Sequence, residues 1–214
     1  MILSRAKLPS ISTEAIIYLG TKIGKGVAIF PGAVLGRDSL SSGVTMKKDG
    51  SDNLSELVIG DGCIIGANAV IYKGSVLGDR TMVCDTACIR ENVTIGNDSL
   101  IAMGVTINAN VHIGDRVKIM DNTHVTGNMV IEDNVFVGML VSMANDNSMD
   151  DGTADQADMK GPTIRSGARI GHGACLNPGV IIGRNAIVGA NAVVTKNVPD
   201  GATVMGIPAK IVRR

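Results

Sequence analysis

Residues 59–83 read IGDGCIIGANAVIYKGSVLGDRTMV, and within them Ile59, Ile65, Ile71, Leu77 and Val83 fall six apart. The spacing continues through Ile89, Ile95, Ile101, Ile107, Ile113, Ile119, Val125, Ile131 and Val137, fourteen hexads in phase, and Met143 holds the next position. It opens earlier at Ile23, Ile29 and Leu35 and resumes at Ile164, Ile170, Leu176, Ile182, Val188 and Val194. Neither a helical period of 3.6 nor two-residue strand alternation produces a sustained six-residue repeat. Short strands joined by recurrent bends do. Four positions after each aliphatic lead stands Ala, Val, Ser, Thr or Cys, with Met129 the exception, and Gly often follows the lead. A small slot and a bend are therefore encoded together.

Three hexads close one triangular coil, so residues 18 apart stack, and Ile59, Leu77, Ile95, Ile113 and Ile131 are expected to form one interior column. The predicted fold is all-β: one parallel β-helix domain over residues 1–214, with external loops and a short C-terminal cap. Composition agrees with it. The chain of 214 residues has 27 Gly, no Trp, two Phe and two Tyr, yet 45% hydrophobic residues, so its core must be built from aliphatic and small side chains. One coil alone has open hydrogen-bonding edges, which makes the coils a single prism rather than independent units.

Two stretches interrupt the repeat. Residues 36–58 lose the aliphatic leads but keep the phase from Leu35 to Ile59, as an external loop would. Residues 144–163, with five Asp and one Lys, break the phase, so the chain must leave the prism and return. The first end includes residues 1–22, as an imperfect coil or an extended cap. At 197–214, Pro199, Gly201, Gly206 and Pro208 end the period, and Ile207, Ala209, Ile211 and Val212 are placed over the last coil as a strand or short helix.

Lys and Arg together number 20, as do Asp and Glu, giving zero formal charge. That balance argues against nucleic acid or an anionic membrane as partner. Cys63, Cys84, Cys88 and Cys175 lack zinc-site spacing and are expected to be reduced. No signal-type segment or run of about 18 apolar residues is visible, which points to a cytoplasmic protein without membrane insertion.

A loop on a regular scaffold is a good place for recognition. His124 ends the hexad IMDNTH and stacks under Ser142, close to the start of the second loop, where a neutral imidazole can take a proton from an attacking amine or hydroxyl. A corner histidine bound to a backbone group is the bland alternative. Asn145 can hold an amine or orient a carbonyl, or simply make the turn. Asp146, Asp150, Asp151, Asp155 and Asp158 can attract a cationic amine or merely keep the loop solvated. His112 and His172 occupy other slots than His124, which weakens any three-histidine metal site, and Cys84 and Cys88 lack a neighbouring base.

The units IGDG, IGAN, IGND, IGDR and IGHG, the loop after VGMLVSMAN and the ending IIGRNAIVGANAVVTKNVPDGATVMGIPAKIV resemble the hexapeptide-repeat acyltransferases, whose fold is a left-handed parallel β-helix. Among these the chain looks most like N-acetyltransferases of nucleotide-linked amino sugars. The resemblance implies a homotrimer with active sites between subunits, acetyl-CoA as acyl donor, a UDP- or dTDP-linked amino sugar as acceptor, and no metal. The sugar amine would attack the thioester directly, without an acyl-enzyme. The resemblance places Gly189 and Ala190 of VGANAVVTK against the donor's pantetheine, Lys196 at its phosphate or adenine end, and Gly173, Cys175 and Asn177 of IGHGACLNPGV nearby. It assigns Asn145 and His124 to catalysis, although the related amino-sugar enzymes often carry Ser where His124 stands. Transfer to a hydroxyl is the nearest alternative. Others are a metal-dependent trimer resembling γ-type carbonic anhydrases, which lacks its histidine pair here, and a non-catalytic β-helical assembly protein.

Overall fold

A computed structural model describes residues 11–39, 54–148 and 159–213. The interior leads stack as the repeat requires: Ile59 pairs in register with Leu77, Leu77 with Ile95, Ile95 with Ile113, Ile113 with Ile131 and Ile131 with Ile164. The described residues form three sheets and no α-helix. Each coil contributes one short strand to each sheet, and the sheets are the faces of a triangular prism. The first face carries strands Ile16–Ile17, Val34–Arg37, Val70–Tyr72, Cys88–Ile89, Thr106–Ile107, His124–Val125, Ser142–Met143, Cys175–Leu176 and Val193–Val194, in that spatial order. The second runs from Lys22–Ile23 to Ile181–Ile182, and the third from Ala28–Ile29 to Ile187–Val188 and Thr203–Met205.

Side chains explain why the chain turns where it does. The residue three past most leads takes a left-handed conformation, as at Asn92, Asn110 and Asn128 (φ 56°, 59° and 56°), where Asn tolerates a backbone that most residues avoid. The glycine that follows a lead has another purpose. At Gly78 an added Cβ would stand 2.8 Å from the Asn97 main-chain nitrogen, so this glycine permits close stacking of coils and the bend falls two residues later. The expected link of glycine to the bends holds at the position three past a lead, as at Gly62, Gly104 and Gly173, and not for the glycine directly after it. The Asp or Asn two past a lead has its own task, since Asp61, Asp79, Asn97, Asp115 and Asp133 each accept a main-chain N–H from the preceding coil at 2.7–2.9 Å.

A second ladder climbs the corner between the first and second faces. The Asn92 amide donates to Asn110 (3.3 Å), Asn110 to Asn128 (3.2 Å), and Asn128 to the Met159 carbonyl (3.1 Å). Asn110→Ala removes the tolerance for positive φ together with two of these bonds. It is expected to destabilise the protein by about 1–2 kcal/mol, read as a lowered midpoint in urea or thermal unfolding.

Both interruptions leave the prism at this same corner, after a first-face strand and before a second-face one. Ile23 pairs with Ile59 and Ile131 with Ile164, separations longer than the ordinary 18 by 18 and 15 residues. An insertion of one coil's length keeps the hexad phase, and one of 15 residues breaks it. Positions 40–53 and 149–158 of these loops lie outside the described residues, as do Asp150, Asp151, Asp155 and Asp158. At the far end Lys210–Arg213 pairs antiparallel with Thr203–Met205, extending the third face. Ala209 packs against the core, while Ile207, Ile211 and Val212 stand exposed.

Candidate functional site

His124 sits on the outside of the first face, directly beneath Ser142. Its Nδ1 lies 2.8 Å from the Thr106 hydroxyl, the residue beneath it, and burial pushes the imidazole pKa below its usual value. The ring is thus held in place and kept neutral. The outward row on this face continues as Cys88, Thr106, His124, Ser142 and Cys175, with Ser142 Oγ 4.0 Å from Cys175 Sγ. Thr106 was not among the residues singled out from the sequence. The signal for it was present, because it lies 18 positions before His124, but a threonine in a repeat full of threonines carries no mark of its own.

Asn145 stands one coil higher and three residues further along the strand direction, where its amide donates to the Gly127 carbonyl at 3.4 Å. No hydrogen bond joins Asn145 to His124. The two occupy opposite edges of one face on successive coils, separated along the strand by about 10 Å. Asn145 instead belongs to the root of the second loop. There the Lys160 N–H donates to the Asn145 carbonyl, Gly161 to Asn128, and Gly179 to Lys160, so the returning chain is sewn to the corner. Asn145, Asp146, Asn147, Ser148, Met159, Lys160, Pro178 and Gly179 line an open cavity of about 320 Å³ at this root. Asp146 is turned inward to the Ser148 amide and hydroxyl (both 2.7 Å).

The residues assigned to the acyl donor lie above. Gly173, with φ 68°, and Cys175 and Asn177 belong to the coil over Ser142, and Gly189, Ala190 and Lys196 to the next. Gly189 has no room for a side chain, because a Cβ would fall 2.7 Å from Met205 Cγ. At the corner between the third and first faces, the His172 and Ala190 N–H groups find no acceptor among the described residues. In the same stacked row the Ala67 N–H is taken by Asp85 and that of Met139 by His172 Nδ1, while those of Asp85, Met103 and Asp121 are likewise without an acceptor among the described residues. The His172 and Ala190 donors are the ones that fall on the upper coils, beside Gly173 and Gly189. Lys196 is exposed and makes no ion pair among the described residues.

The remaining candidates separate. His112 is on the second face and His172 at the far corner, both away from His124, and no group of His, Cys, Asp or Glu suited to a metal ion occurs among the described residues. All four thiols are free, and burial raises the pKa of Cys84 and Cys88, which keeps them protonated. No helix among the described residues is long and apolar enough to cross a membrane.

A model of the GLGC left-handed parallel beta-helix domain matches residues 45–170, and one of the bacterial transferase hexapeptide (six repeats) matches residues 161–196. The chain belongs to the hexapeptide-repeat family of left-handed parallel β-helices. Among solved structures, a UDP-N-acetylglucosamine acyltransferase from Campylobacter jejuni is similar with 18% identity and a TM-score of 0.75, over 94% of this chain and 73% of that one. LpxA from Acinetobacter baumannii is similar over the same shares at 18% identity and a TM-score of 0.60. At these identities the likeness is one of fold. No curated protein sequence matches the chain.

Proposed function

We propose that the chain is an acetyl-CoA-dependent N-acetyltransferase acting on the amino group of a UDP- or dTDP-linked amino sugar. The observation that carries the reading is His124, a half-buried, neutral imidazole fixed by Thr106 on the face that leads to the loop-root cavity. Acetyl-CoA supplies the activated acyl group. His124 takes the proton that the attacking nitrogen must lose, and Asn145, at the mouth of the cavity, holds the acceptor beside the inserted loop. The free His172 and Ala190 amides, with Gly189 beneath and Lys196 beyond, receive the donor along the upper coils. The C. jejuni relative is named for acyl transfer to a nucleotide sugar, the acceptor class proposed here.

The assembly proposed is a homotrimer. In support, Met103, Met139 and Leu140, at the corner between the third and first faces, and Met82 on the third face are 40–61% exposed. A cytoplasmic setting suits four free thiols. Transfer to a hydroxyl is the second reading, favoured by the same imidazole, since an alcohol also needs its proton removed during attack. Incubation with acetyl-CoA and a panel of UDP- and dTDP-linked amino sugars, followed by mass and linkage analysis, decides between them. Turnover of hydroxyl acceptors with every amine inert would overturn N-acetylation.

Asn145→Ala tests the site apart from the scaffold. It removes one weak hydrogen bond at a loop root, so the unfolding midpoint should stay within a few degrees. Acceptor kcat/KM should fall by about tenfold or more while donor binding is retained. Unchanged acceptor kinetics would remove Asn145 from the site.

A further inference from the structure

Below His124 the same face carries a cationic platform that the reaction does not use. Arg37 and Tyr72 are partners in adjacent strands, and Arg90 follows on the next strand up. Both guanidiniums stack on the Tyr72 ring, with Arg37 at 4.9 Å and Arg90 at 5.7 Å from its centre. Both also act on Cys88, pulling its thiol pKa down against the burial that raises it, so the two cations converge on one patch.

The surrounding carboxylates leave this patch partly unspent. Glu91, whose side chain is only 3% exposed, takes the Nε and Nη2 of Arg90 at 3.1 Å and sets the plane of that fork, leaving Nη1 directed elsewhere. Lys73 is the cation occupied by Asp38 and Glu56, at 3.6 and 4.0 Å. Arg37 has no carboxylate partner among the described residues. One coil above Arg90, the half-buried Asn108 side chain makes no hydrogen bond to them either. A planar fork held by a buried acid, a second fork without a counterion and a free amide together suit a group with two adjacent negative charges and several acceptor oxygens.

From this arrangement we infer that Arg37, Tyr72 and Arg90, with Asn108, bind the diphosphate of a nucleoside-diphosphate acceptor. The inference rests on the proposed function for the class of acceptor and adds where its anionic end lies. Arg90 is two strand spacings below His124 and two residues further along the strand direction, roughly 12 Å away. That distance suits a hexose whose amine is at His124 and whose diphosphate descends toward the first loop.

The diphosphate of coenzyme A has the same chemistry, so the test must separate the two. Isothermal titration of the intact protein with UDP, dTDP, inorganic pyrophosphate and coenzyme A should show UDP or dTDP binding that weakens at least about tenfold in Arg37→Ala and in Tyr72→Ala, with Arg37→Lys intermediate. Coenzyme A binding should change less than about twofold, as loss of a remote contact predicts. Circular dichroism and the unfolding midpoint report that each variant remains folded. The inference fails if neither nucleotide binds, if Arg37→Ala binds UDP and dTDP as tightly as the parent, or if coenzyme A is weakened equally. Acetyl transfer to UDP- and dTDP-linked amino sugars, measured in parallel, is a separate readout. Its presence without nucleotide binding removes the platform and leaves the proposed chemistry standing, and its absence with binding intact does the reverse.

Discussion

Ile113→Asp is expected to abolish the native fold. Ile113 is fully buried and stacks between Ile95 and Ile131 in the second-face column, with no polar partner inside the prism. A carboxylate there must either be buried as a charge or hold its proton far above its ordinary pKa, and a substitution of this kind costs more than about 4 kcal/mol, a large part of a domain's whole stability. The expected result is insoluble or unfolded protein, read by circular dichroism and size-exclusion chromatography. Ile113→Val, which keeps the column apolar, should lower stability by only about 0.5–1.5 kcal/mol. A folded Ile113→Asp protein with a normal unfolding midpoint would contradict the column.

His124→Ala carries the largest expected effect on catalysis, a loss of about 10²–10⁴ in kcat with coenzyme A affinity unchanged. Its pH dependence follows from burial. A base works deprotonated, and burial lowers the imidazole pKa, so the acidic limb of kcat/KM should lie below the ordinary histidine value of about 6.5. The same depression acts on stability. Below about pH 6.5 the unfolded chain takes up a proton that the folded one resists, so His124 favours unfolding increasingly as the pH falls, until the folded pKa is passed. Thr106→Val should blunt turnover, because the 2.8 Å contact that holds the ring is lost. A pH profile that is the same in parent and His124→Ala protein would sink the base.

The interior of this molecule was legible because the repeat leaves no freedom: in the second-face column each lead from Ile59 to Ile113 stacks on the residue 18 further on. The corners were legible only in part. Glycine does ease many bends, as at Gly62, Gly104 and Gly173, but Asn92, Asn110 and Asn128 hold the same left-handed position, and the glycine after a lead, such as Gly78, is there for close approach. A hexad count cannot tell these apart, since both put a small or polar residue near a turn. His124 and Asn145 share a face on successive coils, but the partner that defines His124 is Thr106, from the coil below. Arg37, Tyr72 and Arg90 were invisible for a further reason. Arg37 and Tyr72 are 35 positions apart, and only the insertion between them makes that separation a neighbour relation.

That both insertions leave from one corner has a consequence for how such a protein changes over time. The ends of each excursion are tied by the scaffold's own bonds, Gly74 to the Ser55 carbonyl in one case and Gly161 and Gly179 to Asn128 and Lys160 in the other. The intervening length is free to vary, and doubling a flexible loop costs only about 0.6 kcal/mol. The corner therefore works as a port through which new acceptor specificity can be acquired, one excursion at a time, while the faces that bear His124 and the Ala190 amide keep their spacing.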